Sequence, residues 1–313
     1  QYYSLNLTQN MALKTHAPMS AAKAAALAKA QAASLAQSEY GSPRERGLKR
    51  AHDAIEWIYK WGWSTPTVIE INAGSFRSGL ANRLVKSGVL NRIETPSGGI
   101  NNTPTFLLTL TKKGLEKAVE ITDKLLPYET DPHRINLNNV THDELVQRLT
   151  ALKTWELDDS GIDEFITPKS LHAWNSNEIK IPDVVWKRKN AEGELKTFAV
   201  EFELTPKHGH EFDRFVAMTA ELLFVKDSNA QNLFHGIEIY SKSPALIKRY
   251  SAAFAPGTKT QCWLKEKGKT GRWQKITDKN NEPVFFTATE KVSRAVKFTL
   301  ITKEMIETPK SRA

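Results

Sequence analysis

The sequence contains one cysteine, Cys262, and no long uninterrupted run of apolar residues. A single cysteine excludes an intrachain disulfide, and no spacing of Cys and His residues indicates a structural zinc site. A membrane-spanning helix needs roughly 18 apolar residues in a row, so we expect no membrane partner. The apolar stretches are also too short for a secretory signal. These absences favour a cytoplasmic protein.

The chain has 313 residues and a net charge of +9, and this length favours about two domains. Residues 1–45 are predicted to belong to neither domain. Within them, Ala21–Ala36 is composed of strong helix formers but lacks an apolar stripe wide enough for a core. We therefore expect a flexible, Ala-rich N-terminal segment.

Residues 46–128 are predicted to form a winged helix-turn-helix domain, because three helices precede a two-stranded hairpin. Gly88 has the position of a glycine that ends a helix, and the pattern of apolar residues indicates the other boundaries. The helices are expected at Ala51–Trp61, Pro66–Ala73 and Ser75–Ser87, and the strands at Val89–Ile93 and Thr105–Leu110.

Charge supports DNA as the ligand of this first domain. Between positions 44 and 126, thirteen Lys and Arg residues stand against eight Asp and Glu residues. A basic helix with a wing beside it suits a phosphate backbone and its groove. Winged helices also serve as protein docking modules, so that alternative stays open. The predicted DNA-binding residues are Arg77, Arg83 and Lys86 on the third helix and Arg92, Asn101 and Asn102 on the wing.

Residues 129–313 are predicted to form a mixed-sheet domain, which makes the chain α/β in class and α+β overall. A helix is expected to begin at Thr141, with Glu144 as its capping-box partner. The turn Asn190–Glu194 separates two strands and indicates a hairpin. The remaining elements are a strand at Glu164–Thr167, a helix at Gly209–Val225, a strand at Gly236–Tyr240, a helix at Ser243–Phe254 and a strand at Thr260–Leu264.

Three carboxylates lie on the strands of the predicted hairpin: Asp183 on the first, Glu201 and Glu203 on the second. Because side chains alternate along a strand, Glu201 and Glu203 point to one face, and pairing brings Asp183 near it. A solvated face explains such spacing equally well. The flanking residues are apolar, however, and buried like charges are costly unless a cation is bound.

The segment Ile181-Pro182-Asp183, followed by Glu201-Phe202-Glu203, resembles the PD-(D/E)XK restriction-endonuclease-like superfamily, as does the order of elements over residues 140–265. The chain departs from the family at Glu203, where a lysine is usual. The resemblance implies that Asp183 and Glu201 bind Mg²⁺ or Mn²⁺, with the backbone carbonyl of Phe202 as a further ligand. Glu203 is then expected to bind a second metal ion or to accept a proton from the attacking water.

Three further residues are candidates for this site. Glu164 lies on the preceding strand and is expected to add a metal ligand; an exposed strand-end glutamate is the alternative. His142 lies in the first turn of its helix, where capping or solvation competes with catalysis. Lys207 follows the third strand and is a candidate substitute for the missing lysine, or a solvated loop residue.

Together the two domains resemble MOBC-type plasmid mobilisation relaxases and the related replication-relaxation family. The resemblance rests on Leu108-Thr109-Leu110-Thr111-Lys112-Lys113-Gly114, His142, Glu164, Asp183 and Glu201-Phe202-Glu203-Leu204. It implies a metal-dependent endonuclease that nicks one strand at an origin of transfer. The implied partners are double-stranded DNA with an origin-like site, single-stranded DNA and accessory DNA-processing proteins.

Two alternatives remain open. The chain is a non-catalytic replication or transcription regulator if its nuclease fold has lost activity, which the departure at Glu203 allows. It is a restriction or transposition endonuclease if it cuts both strands as a dimer; its oligomeric state is left open.

Near the C-terminus, Lys265, Lys267, Lys269, Arg272 and Lys275 interleave with Trp263 and Trp273 in a predicted basic hairpin. Base stacking and phosphate contact suit that pattern, and so does an ordinary solvated hairpin.

Overall fold

A computed structural model describes residues 41–307, except 75–77, 101–102, 132–133, 157–160, 173–179, 227–229 and 266–270. Most of the predicted Ala-rich segment lies outside these residues, as do Arg77, Asn101, Asn102, Lys267 and Lys269. Among the described residues, those from 47 onwards belong to one compact unit, and residues 41–46 do not. Residue 128, where the sequence predicts a domain boundary, lies within this unit.

Three helices and a two-stranded antiparallel hairpin form the N-terminal part, in the order predicted for a winged helix-turn-helix. Thr65 caps the second helix by accepting a hydrogen bond from the amide of Val68, and Pro66 occupies its first turn. The elements are α1 (Pro43–Trp61), α2 (Pro66–Asn72), α3 (Leu80–Lys86), β1 (Leu90–Glu94), β2 (Phe106–Leu110) and α4 (Lys112–Thr122).

The third helix begins later than the expected Ser75. Gly79 adopts a left-handed backbone conformation with φ +67° at the N-cap, so the helix cannot extend through it, and α3 starts at Leu80. Its end was predicted correctly: Gly88 has φ +70°, a conformation that glycine adopts without strain.

One glycine of the resemblance motif has a packing role. A Cβ atom on Gly114 would lie 2.2 Å from the carbonyl oxygen of Val89, so only glycine lets α4 approach the backbone between α3 and β1 this closely. Thr111 holds the same two segments together. Its hydroxyl donates to the carbonyl of Gly88 at 2.7 Å and caps α4 by accepting a hydrogen bond from the amide of Gly114.

A five-stranded mixed sheet forms the centre of the remaining chain. Its order is β11-β6-β5-β4-β3, with β3, β4 and β5 antiparallel and β5, β6 and β11 parallel. The elements up to its fourth strand are α5 (Val140–Lys153), β3 (Glu164–Ile166), α6 (Pro168–His172), β4 (Val184–Lys189), β5 (Leu195–Phe202), α7 (His210–Glu221), β6 (Gly236–Ser241) and α8 (Pro244–Ala253).

The C-terminal elements differ from the sequence-based expectation. The strand predicted at Thr260–Leu264 is broken at Cys262 into two short strands, and the last strand of the central sheet comes from residues that were not predicted as a strand. The elements are β7 (Lys259–Gln261), β8 (Trp263–Lys265), β9 (Trp273–Lys275), β10 (Phe285–Thr287), α9 (Glu290–Ala295), β11 (Val296–Leu300) and α10 (Lys303–Ile306).

Both faces of the central sheet are covered by helices. On one face, Leu145 and Leu149 of α5 pack against Trp186 and Phe202. On the other, α7 and α8 pack against the remaining side chains of β4, β5 and β6, with Phe215, Val216 and Tyr250 in this core. A sheet covered on both faces explains the continuous apolar runs in its inner strands, Val184-Val185-Trp186 of β4 and Phe198-Ala199-Val200 of β5.

The start of α5 also corrects an expectation. Thr141 does not cap the helix, because the 3₁₀ turn Leu137–Asn139 runs directly into it and Asn139 occupies the cap position without a side-chain bond. Glu144 is not part of a capping box; it accepts from Arg148 one turn further along.

Buried polar contacts join the N-terminal helices to the sheet. Gln147 of α5 accepts hydrogen bonds from Trp57 Nε1 at 3.1 Å and from the Ser64 hydroxyl at 2.8 Å, and donates to the carbonyl of Trp63 at 3.1 Å. The rings of Trp57 and Trp61 pack on Phe165 of β3. The two predicted domains therefore share a packed interface.

Candidate nuclease-like site

The hairpin brings Asp183 and Glu201 together. Val184, the first residue of β4, pairs with Val200, so Asp183 lies opposite Glu201 at the ends of the two strands. The amide of Phe202 donates to Asp183 Oδ2 at 2.7 Å. This bond holds the Asp183 carboxylate at the end of β5.

Glu201 forms an ion pair with Lys180, three residues before Asp183. The Glu201 side chain is only 3 % exposed and that of Lys180 17 %. Burial raises the pKa of Glu201 to about 7; Lys180 opposes this shift, and the negative charges of Asp183 and Glu203 add to it. Glu201 can therefore hold or release a proton near neutral pH.

Glu203 lies on the same face as Glu201, as the alternation of the strand predicts. It binds Lys207 and accepts from the Tyr250 hydroxyl at 3.3 Å. The two cations flank one aromatic ring: Lys180 Nζ lies 5.2 Å and Lys207 Nζ 4.7 Å from the centroid of Phe215. The face therefore carries two neighbouring carboxylate–lysine pairs.

His142 is in contact with the carboxylate pair. Its Nε2 lies 3.0 Å from the carbonyl oxygen of Phe202 and 3.3 Å from Asp183 Oδ2, and its Nδ1 lies 2.9 Å from Asp143 Oδ1. Burial lowers the pKa of His142, but hydrogen bonds to Asp143 and Asp183 and the charges of both carboxylates raise it to about 10. At neutral pH the ring is an imidazolium that donates from both nitrogens.

The same contacts determine the state of Asp183. Burial would raise the pKa of its carboxyl, but the hydrogen bond and charge of His142, together with Lys180 and the Phe202 amide, hold that pKa below its ordinary value. Asp183 is therefore ionised near neutral pH, the range in which Glu201 gains or loses its proton. The two carboxyls thus differ in their protonation at the same pH.

Glu164 is not brought to this cluster. It pairs in register with Lys187, and its carboxylate binds Lys187 Nζ at 2.9 Å with 57 % of the side chain exposed. Lys187 is four residues beyond Asp183 along β4, about 13 Å at the rise of a strand. Glu164 is therefore an exposed glutamate at the end of a strand and does not belong to the site.

Oxygen ligands are available for a divalent metal, although fewer than expected. Asp183 and Glu201 offer carboxylates, which suit Mg²⁺ and Mn²⁺. The Phe202 carbonyl, expected as a further ligand, accepts from His142. In the described part of the chain, no group of three or more His, Cys, Asp and Glu side chains is arranged to hold a metal ion. The donors fit a metal that keeps several waters.

The candidate DNA-binding residues that the structure describes are exposed. Arg83 and Lys86 project from α3, whose Leu84 is buried in the core. Arg92 lies on β1 with its guanidinium 3.7 Å from the centroid of Phe106 on β2. Arg83, Lys86 and Arg92 are therefore exposed basic side chains of the N-terminal part.

Sequence reasoning missed Lys180. Its only signal was a basic residue immediately before the Ile181-Pro182-Asp183 segment, and nothing local ties such a residue to Glu201, 21 positions away.

No helix in the described residues is long and apolar enough to cross a membrane. Comparisons of the chain with protein-family models, with curated proteins and with solved structures find no match.

Proposed function

We propose that the protein is a metal-dependent DNA endonuclease that nicks one strand, as a relaxase does at a plasmid origin of transfer. The observation that carries this proposal is the meeting of Asp183 and Glu201 at the ends of paired strands, with Lys180 on Glu201. The strand order, with an antiparallel β3-β4-β5 followed by parallel β6, supports a restriction-endonuclease-like fold.

In this proposal Asp183 and Glu201 hold Mg²⁺ or Mn²⁺. The ion, when bound, offsets negative charge on the phosphate and lowers the pKa of a bound water. Buried carboxylates that repel one another gain from a cation between them, and the raised pKa of Glu201 is the sign of that repulsion and burial.

The chain's own groups prepare the site for a phosphodiester. His142 holds the Asp183 carboxylate and the Phe202 carbonyl in place. Lys180, which is partly exposed and pairs with Glu201, is the cation that would contact a phosphate oxygen if Glu201 held the ion. Glu203 and Lys207 form the neighbouring pair, and Glu203 is the candidate acceptor for a proton from water.

The N-terminal part supplies the duplex contact in the proposal. Arg83, Lys86 and Arg92 are exposed on α3 and the β1–β2 wing, where phosphates and a groove are bound in winged helices. The packed interface around Gln147 keeps this surface at a constant position relative to the carboxylate pair.

The test is an assay on supercoiled DNA that carries the intergenic region next to the gene, with Mg²⁺, Mn²⁺ or chelator. We expect open-circular product only with metal. Asp183→Asn and Glu201→Gln should abolish nicking and retain duplex binding, because both carboxylates are assigned to the metal. Glu164→Gln is the matched control: this exposed carboxylate on the same sheet pairs with Lys187, and its loss should leave nicking unchanged.

A non-catalytic DNA-binding regulator is the second candidate. One observation favours it: Lys180 and His142 already neutralise Glu201 and Asp183. Duplex binding without metal-dependent nicking by the parental protein would support the regulator. Linear product in place of open circles would support an enzyme that cuts both strands.

A further inference from the structure

The first turns of α7 and the β8–β9 hairpin carry a series of basic and aromatic side chains that contact one another. Arg214 lies 3.5 Å from the centroid of Trp273, the His210 ring lies 5.8 Å from both Trp273 and Trp263, and Lys275 Nζ lies 5.9 Å from Trp263. We call these five residues the basic-aromatic ladder.

The register of the β8–β9 hairpin creates one side of the ladder. Trp263 pairs with Lys275 and Lys265 with Trp273, so two Trp and two Lys alternate diagonally on one face. The opposite face carries Leu264, which is 64 % exposed. The hairpin is anchored at its base, where the Ile276 amide donates to the Cys262 carbonyl at 2.9 Å.

Helix α7 supplies the other side. His210 and Arg214 are four residues apart and therefore lie on one face of the helix. The Trp263 ring is oriented by its Nε1, which donates to Asp213 Oδ2 at 2.9 Å. The rings are thus held before any ligand arrives, which lowers the entropy cost of stacking on them.

We propose that the basic-aromatic ladder binds single-stranded DNA. Half-buried Trp rings accept stacked bases, and the exposed Lys265, Arg272 and Lys275 provide the charge that a phosphate backbone requires. This binding site goes beyond the proposed nicking function and rests on it only for the source of the strand, the DNA freed beside the nick.

The ladder is close to the candidate nuclease-like site. His210 follows Lys207, the partner of Glu203, by three residues, a stretch that spans at most about 11 Å when extended. On the same helix, Phe215 contacts both site lysines. A strand leaving the carboxylate pair therefore meets the ladder within a few nucleotides.

The experiment titrates a fluorescein-labelled oligothymidine of about 15 nucleotides, a length that single-strand sites accommodate, with the full chain in chelator. Fluorescence anisotropy measures affinity at several salt concentrations. We expect Trp273→Leu to weaken binding about tenfold through the loss of one stacked base. Lys275→Gln should weaken binding severalfold and reduce the slope of log affinity against log salt by about 0.7.

Two matched controls lie beside the ladder: Leu264→Ala on the opposite hairpin face and Lys279→Gln in the next turn, an exposed lysine. Both should bind as the parental protein does. Thermal melting checks the fold of each variant, and Lys275→Gln decides the outcome if Trp273→Leu unfolds. Ladder variants with parental affinity and salt slope would overturn the proposal, as would a parental protein that does not bind the oligothymidine.

A duplex of the same length is the second probe. An equal loss of duplex affinity in the ladder variants would assign this surface to double-stranded DNA and overturn the single-strand assignment. Asp183→Asn should bind the oligothymidine normally, because no metal or cleavage is involved. A negative nicking assay therefore does not decide whether the ladder binds single-stranded DNA. A negative oligothymidine titration likewise does not decide whether the protein nicks DNA.

Discussion

At the scale of single residues, Lys180 and Lys207 are the two candidates to replace the lysine that the resembled family carries at the position of Glu203. Lys180 pairs with a proposed metal ligand, Glu201, whereas Lys207 pairs with Glu203 and is 34 % exposed. The lower exposure of Lys180, 17 % against 34 % for Lys207, means that water screens its charge less.

We expect Lys180→Met to slow nicking by about two to three orders of magnitude, the range for losing one contact to the transition state. Lys207→Met should slow it less than tenfold, and both variants should bind duplex DNA normally. Single-turnover nicking of supercoiled DNA gives the comparison. A larger loss from Lys207→Met would transfer the role to Lys207.

Glu201 should make stability depend on pH in the absence of metal. Its pKa is about 7 in the folded chain against 4.5 as the ordinary value, so the folded state binds the extra proton between these values. The bound proton stabilises the folded state fully below about pH 4.5, and this stabilisation is lost as pH rises through 7. The free energy of unfolding falls by about 3 kcal/mol at most over this range.

Glu201→Gln removes this titration. In chelator we expect the variant to be more stable than the parental protein at pH 8 and the difference to shrink towards pH 5, in urea unfolding followed by circular dichroism. Glu164→Gln, in which the lost carboxylate is exposed, is the control and should show no such trend. A difference that grows towards pH 5 would contradict the assignment of a raised pKa.

At the scale of elements, α3 presents the basic surface. Leu80, Ala81 and Leu84 anchor the helix in the core, which leaves Arg83 and Lys86 exposed. Gly79 and Gly88, both with positive φ, end the helix on either side. In the proposed function, the whole exposed side of this seven-residue helix faces one groove of the duplex.

Arg83→Ala and Lys86→Ala should each weaken duplex binding severalfold and lower the salt slope by about one, because each removes one phosphate contact. The control is Lys117→Ala, an exposed lysine on α4. Gel-shift titrations at two salt concentrations measure both quantities. Parental affinity in both α3 variants would assign the winged helix to protein docking.

At the scale of the whole molecule, α5 links the N-terminal part to the carboxylate pair. Gln147 binds Trp57, Ser64 and Trp63 of the N-terminal part, and His142 at the start of the same helix binds Asp183. In the proposed function, this one helix sets the distance from the DNA-binding surface to the carboxylate pair.

Gln147→Leu leaves buried partners unpaired and should lower the free energy of unfolding by about 3 kcal/mol. Gln274→Leu, at an exposed position of β9, is the control and should change it by less than about 0.5 kcal/mol. Urea unfolding measures both, and we expect a single transition for the parental protein. Separate transitions for the N-terminal and C-terminal parts would contradict a shared interface.

Local patterns in the sequence determined most of the elements. Apolar periodicity, the glycine at 88, the cap at Ser243 and the turn after β4 each act over a few residues, and the structure places the corresponding helix ends and strands close to prediction. The nearness of Asp183 and Glu201 was predictable for the same reason, since a hairpin brings neighbouring segments into register.

Tertiary structure alone decided the rest of the site. His142 reaches Asp183, 41 positions away, because α5 packs against the sheet, and Lys180 reaches Glu201 from the segment that leads into β4. Glu164 is separated from the cluster by the register of β3 along β4, and β11 joins the sheet through a parallel pairing with β6. Sequence periodicity reports which side of a strand a residue occupies, whereas position along a neighbour depends on packing between distant segments.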